Sequence, residues 1–254
     1  MHQAIAPATA AALLPRRSVA GTVRVSGRDI DGLILCGEMY GAPYDLLAEC
    51  LNVQPDRLRG IVARWRAAGY AETGRLGPGP AWCWLTRPGL AALGLRFPAG
   101  RPSLGRLAHL RAVLAVRLAL ESSPAGQMGQ PWWRSERRIR AAAGGRAGGS
   151  HIPDAEACWA EIPGSRYPGE RWAIEAELTP KPLARTAAIM AGLLYRRTGY
   201  SPGAKPHDRP FYDRAVYLVA PPARSVVTRA AATLPAPLQA RVTIRDLPPE
   251  AILW

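Results

Sequence analysis

The sequence predicts an α+β protein in two parts, a helical N-terminal unit closed by a β-hairpin and then an α/β domain built on a mixed sheet. Three observations predict it. Residues 28–97 contain three helical segments followed by two short β-like runs joined by GPGP. From His151 onward, β-like and helical segments alternate. Between these regions, FPAGRPSLG forms a Pro/Gly joint.

The elements follow in order. Residues 1–27 are rich in Ala, Pro and Thr and read as a flexible arm, with a short strand at TVRV. In RDIDGLILCGEMYG, residues Ile30, Leu33, Ile34 and Met39 fit one helical face. PYDLLAECL gives a second, short helix. The third, PDRLRGIVARWRAAGY, starts with Pro55 in a favoured first-turn position and Asp56 beside it. Its apolar stripe is Leu58, Ile61, Val62 and Trp65, its arginines lie off that stripe, and Gly69 is placed to end it. YAETGRL and AWCWLT then form the hairpin, and RPGLAALGL returns to helix.

Three helices followed by a hairpin is the order of a winged helix-turn-helix, whose third helix enters the major groove while the wing lies on the backbone or in the minor groove. That order makes Arg57, Arg59, Arg64, Arg66 and the wing-tip Arg75 the candidate DNA contacts. A winged helix that only contacts proteins is the competing reading. Residues 98–150 hold linking helices and a loop: the long amphipathic run LGRLAHLRAVLAVRLALE, a second helical candidate in WWRSERRIR, and the loose AAAGGRAGGS.

The domain at 151–254 reads as strand ACWAEI, turn PGSRYPGE, strand RWAIEAELT and a helix from Pro182 to about Tyr195. A polar loop to Arg209 then leads to strand DRAVYLVA, a helix from about Ala223 to Leu234, and strand ARVTIRDL.

Composition narrows the partners. The 254 residues carry a net charge of +14, almost all of the cationic charge being arginine, since Lys181 and Lys205 are the only lysines. Such a surface favours a polyanion, duplex DNA before a membrane. The four cysteines are scattered without a CxxC pair, which argues against a zinc site or a disulfide framework and for a reducing cytoplasm. IAPATAAALL lacks preceding basic residues, contains Pro7 and is followed by Arg16 and Arg17, the wrong orientation for a signal peptide. No run approaches the length of a membrane span.

Against that basic background, acidic residues gather between His151 and Lys181. With period two, Trp172, Ile174, Ala176 and Leu178 share one face of a strand, and Arg171, Ala173, Glu175 and Glu177 share the other. A hairpin would bring Asp154 beside the two glutamates. Converging carboxylates repel unless a cation or proton neutralises them, and an oxygen-rich set suits Mg²⁺, with Mn²⁺ as substitute. Water on such a metal attacks phosphodiesters. The plainer reading makes Glu175 and Glu177 the solvated face of an edge strand. His151 reads equally as a base, a phosphate contact or a cap of the strand.

Pro153-Asp154, twenty residues, then Glu175-x-Glu177 resembles the active-site signature of the PD-(D/E)xK nuclease superfamily. The resemblance implies that Asp154 and Glu175 bind metal, with a further metal-binding glutamate on a preceding helix, which Glu136 would fill. It also implies a lysine in the third place, where this chain has Glu177; Lys181 would substitute only if the chain bends back. Glu136 has the simpler alternative of pairing with a neighbouring arginine. Taken together, RDIDGLIL, LRGIVARWRAAGY, WLTRPGL, LAHLRAVLAVRLAL, WRSERRIR, HIPDA and WAIEAELTPK resemble the actinobacterial replication-relaxation family over about residues 26–247. That resemblance implies a winged helix joined to a PD-(D/E)xK-like domain in a DNA-binding protein of a plasmid or other mobile element. It leaves open an active Mg²⁺-dependent endonuclease, or a transcriptional or replication regulator whose dead nuclease domain clamps DNA or forms a homodimer.

Overall fold

In the computed structural model the chain divides into two compact units, Met1–Leu114 and Ala115–Leu253. The structure describes residues 25–123, 131–143, 151–162, 165–195 and 211–251. The N-terminal arm up to residue 24, most of the loop AAAGGRAGGS and the polar loop to Arg209 lie outside them. Both units mix helix and strand, and the sheet of the second is mixed, as the sequence predicts.

The first unit runs α1 (Gly27–Glu38), β1 (Ala42–Pro43), α2 (Tyr44–Cys50), α3 (Pro55–Ala67), β2 (Ala71–Gly74), β3 (Trp82–Leu85) and α4 (Arg87–Ala92). The three strands form an antiparallel sheet of order β1-β3-β2. α1 starts at a capping box: the Asp29 amide donates to Ser26 Oγ at 3.3 Å and the Ser26 amide donates to Asp29 Oδ2 at 2.9 Å, closing two otherwise orphaned donors.

α3 starts with Pro55 and buries Leu58, Ile61, Val62 and Trp65, the stripe its periodicity predicts. It ends in a Schellman motif: Tyr70 N–H donates to Trp65 O at 2.9 Å and Gly69 N–H to Arg66 O at 2.9 Å. That turn needs a left-handed residue, and Gly69 supplies it at φ +71°. Asp29 ties α1 to α3, accepting from Trp65 Nε1 at 2.8 Å. α5 (Leu107–Ser122) begins in this unit, with Leu107 and Leu110 packed against Trp82 and Trp84. The fully buried Arg111 makes a bidentate pair with Asp45 at 3.0 and 2.6 Å.

The second unit contains a five-stranded sheet: β4 (Trp132–Ser135), β5 (Ala155–Cys158), β6 (Arg171–Glu177), β7 (Arg214–Val219) and β8 (Val242–Asp246), in that spatial order. β4, β5 and β6 form an antiparallel meander, and β7 and β8 continue parallel to β6. The parallel crossovers carry α7 (Leu183–Tyr195) and α8 (Pro221–Ala232), and α6 (Glu136–Ala143) follows β4 directly. Met190 and Leu194 of α7 and Val227 of α8 close over Ala215, Tyr217 and Val219 of β7.

Two expectations are corrected. WWRSERRIR is not one helix: Trp132–Ser135 pairs with β5, and helix starts only at Glu136. Bulky tryptophans side by side fit a pleated strand better than a helical turn. The strand expected at ACWAEI begins earlier, at Ala155, and ends at Cys158. Its pairing with β6 sets those limits, because Cys158 lies opposite Arg171, the first residue of β6.

Candidate functional site

Two surfaces carry the residues singled out by the sequence. On α3 of the first unit, Arg57, Arg59, Arg64 and Arg66 are exposed while Leu58, Ile61, Val62 and Trp65 are buried. Arg59 pairs with Asp56, and Arg64 reaches Asp29 Oδ1 at 3.3 Å with half of its side chain still exposed. Arg75, between β2 and β3, is exposed as well.

The second surface is one face of the five-stranded sheet. Register places Ser135 opposite Ala155 and Ala155 opposite Ile174, and the Glu136 amide donates to Asp154 O at 3.1 Å. Glu136, Asp154 and Glu175 therefore form a row across β4, β5 and β6, and β7 extends it with Tyr217, the register partner of Glu175. β6 is the central strand, and Glu175 and Glu177 are buried at 2% and 4% exposure. The solvated edge-strand reading is thereby overturned. Two buried carboxylates are costly unless paired, and both are.

Glu175 Oε1 lies 2.6 Å from His151 Nε2. Burial pushes the His151 imidazole down, against the pull of Asp154 and Glu177, while Lys181 and Arg185 push it further down. Glu175 Oε1 can only accept, so His151 Nε2 is the donor in this contact. Glu177 Oε1 accepts from Lys181 Nζ at 2.5 Å, so the chain does bend back after β6. Asp154 Oδ2 accepts from the Ala176 amide at 2.9 Å, which fixes its carboxylate against β6. Glu136 stands in the row but pairs with Arg140 at 2.7 Å.

Three members of this face were not singled out by the sequence. Glu156, 1% exposed, accepts from Tyr212 Oη at 2.7 Å and from Arg134 at 3.1 Å. Its signal was present in the period-two spacing Asp154-x-Glu156. Arg185 on α7 is exposed and acts electrostatically on His151. Tyr217 is fully buried, and its hydroxyl has no hydrogen-bond partner among the described residues. Burial, then the charges of Glu175, Glu177 and Asp154, hold that phenol well above its ordinary pKa, so it is a neutral donor facing three carboxylates.

The donor chemistry, hard carboxylate oxygens beside an unsatisfied hydroxyl, is of the kind that Mg²⁺ takes. Among the described residues no group of three His, Cys, Asp or Glu side chains is placed to hold a metal ion, and Asp154, Glu175 and Glu177 have an amide, an imidazole and an ammonium as partners. As arranged, the face is a hydrogen-bonded carboxylate network with one ion pair, Lys181 to Glu177.

Among the described residues no helix is long and apolar enough to cross a membrane. No protein-family model matches this chain, and no curated protein matches it significantly. The resemblance to the replication-relaxation family rests on the sequence motifs alone.

Proposed function

We propose that this is a DNA-binding protein of a plasmid or other mobile element, acting in replication or mobilisation. In this reading the first unit is a winged helix-turn-helix for duplex DNA, and the second is a PD-(D/E)xK-like domain. The observation that carries it is the two-sided character of α3, with four arginines exposed and Leu58, Ile61, Val62 and Trp65 buried. In a chain of net charge +14 such a helix presents cations to phosphates without disturbing the core. The order helix-strand-helix-helix-strand-strand, with β1 completing the sheet, supports the winged-helix reading, and exposed Arg75 between β2 and β3 suits a wing contact. Fluorescence anisotropy with labelled duplex DNA tests it: the wild type binds, and a combined Arg57→Ala and Arg66→Ala change weakens binding.

For the second unit, the antiparallel meander followed by a parallel βαβ step, with Asp154 beside Glu175, supports the nuclease-like reading. Mg²⁺, with Mn²⁺ substituting, is the cation this donor set would take, through Asp154 and Glu175 with Glu136 in the same row. Bound there, it would supply Lewis-acid activation of a phosphodiester. Lys181 supports that centre by placing an ammonium at Glu177, where the superfamily signature has its lysine. A specific observation favours the second reading, a transcriptional or replication regulator whose catalytically silent domain clamps DNA or joins two copies of the chain: Glu175 and Glu177 already have His151 and Lys181 as hydrogen-bond partners. Nicking of supercoiled plasmid with Mg²⁺, lost in Glu175→Gln, separates the two.

A further inference from the structure

The other face of the same sheet holds a cavity of about 710 Å³ that the DNA-binding reading does not use. Strand alternation turns Trp172 and Ile174 toward it and Ala173, Glu175 and Glu177 away from it, so it is separate from the carboxylate face. We propose that this cavity binds a nucleoside phosphate, either a free nucleotide or an unpaired nucleotide of a strand. Its volume is within the ordinary range for small-molecule sites.

Its wall is aromatic. Trp159, Tyr167 and Trp172 pack on one another with ring centroids 4.6 to 5.1 Å apart, over an apolar floor that includes Ile174 and Val216. The charged lining is cationic: Arg166, Arg214 and Arg245 stand against one carboxylate, Asp246, which Arg224 already pairs. A planar ring beside an anion is the ligand that matches an aromatic wall flanked by guanidiniums.

The parts are held in register before any ligand arrives. Glu170 accepts from Trp172 Nε1 at 2.6 Å and from Arg214 at 2.7 and 3.2 Å, so one carboxylate fixes an aromatic plate and a guanidinium together. Arg214 and Arg166 also lie over the Tyr167 ring, at 5.6 and 5.4 Å from its centroid. Arg214 keeps further N–H donors beyond those given to Glu170. The indole Nε1 of Trp159 is buried and has no partner among the described residues, a donor that a base or ribose acceptor would satisfy.

Isothermal titration of the full chain with AMP, ATP, inorganic phosphate and a short oligothymidylate, without divalent cation, tests this. The expected result is saturable nucleotide binding, weakened about tenfold or more in Arg245→Ala and in Tyr167→Leu, with duplex DNA affinity unchanged. Arg245 is exposed, so its variant reads binding without disturbing the fold. Oligothymidylate binding that free nucleotide displaces assigns the site to an unpaired strand, whereas nucleotide binding that the oligomer does not displace assigns it to a free nucleotide. The proposal is overturned if no nucleotide saturates the protein at millimolar concentration, if phosphate alone binds as well, or if both variants bind like the wild type. None of these outcomes depends on metal binding or cleavage.

Discussion

Lys181 Nζ donates to Glu177 Oε1 at 2.5 Å, so the lysine after the strand supplies an ammonium to the glutamate at its end. Glu177 is nearly buried, while Lys181 keeps about a third of its side chain exposed, at 35%. Lys181→Ala leaves a buried carboxylate unpaired and is expected to cost about 1–2 kcal/mol, less than for a fully buried pair because solvent screens the lysine. Adding Glu177→Gln restores most of the loss. Urea denaturation of the two single variants and the double variant measures this, and additive losses would show that the pair is not coupled.

Tyr217 carries a buried hydroxyl without a partner among the described residues. Tyr217→Phe removes a desolvated polar group at no cost in packing, and is expected to raise stability by about 1 kcal/mol in the ligand-free protein. A loss of stability on denaturant melting would mean that the hydroxyl is satisfied in solution.

The alternation of β6 was legible because period two is a local property, and it placed Ala173, Glu175 and Glu177 on one face. The meaning of that face was not legible, because burial depends on β6 being central and on α7 lying over the face, both long-range facts. Tyr217 joins the row only through the register of β6 with β7, forty-two positions later in the chain. Glu156 was readable from its spacing to Asp154 but was hidden by a strand placed too late in the chain. On α3, the separation of arginines from apolar residues was readable in full, as was its end at Gly69.

Asp29 accepts hydrogen bonds from Ser26 and Trp65 and pairs with Arg64. Burial raises its pKa, but these partners outweigh burial and hold it below the ordinary 3.8. A depressed carboxylate contributes stability that is fully present above its unfolded value and is lost as pH falls through its folded one. Asp29→Asn is therefore expected to flatten the acid limb of the stability curve below pH 3.8 and to cost about 1–2 kcal/mol at neutral pH. Thermal melts across that range check both; an unchanged acid limb contradicts the assignment.

Mn²⁺ or Mg²⁺ at millimolar concentration is expected to raise the melting temperature of the wild type. Binding only to the folded state adds about 2.7 kcal/mol at a hundredfold excess over the dissociation constant. Glu175→Gln is expected to abolish the shift. No shift in the wild type would assign the carboxylate face to the catalytically silent reading.

The claim that the first unit is a duplex-DNA reader is tested most directly by affinity for one labelled duplex across a salt series, with wild type beside the Arg57→Ala, Arg66→Ala variant. Each phosphate contact contributes close to one unit to the slope of log affinity against log salt. The account predicts that wild-type affinity falls about tenfold or more between roughly 50 and 200 mM salt, and that the variant binds more weakly with a slope shallower by about two. Binding indifferent to salt, or a variant with the wild-type slope and affinity, would contradict it.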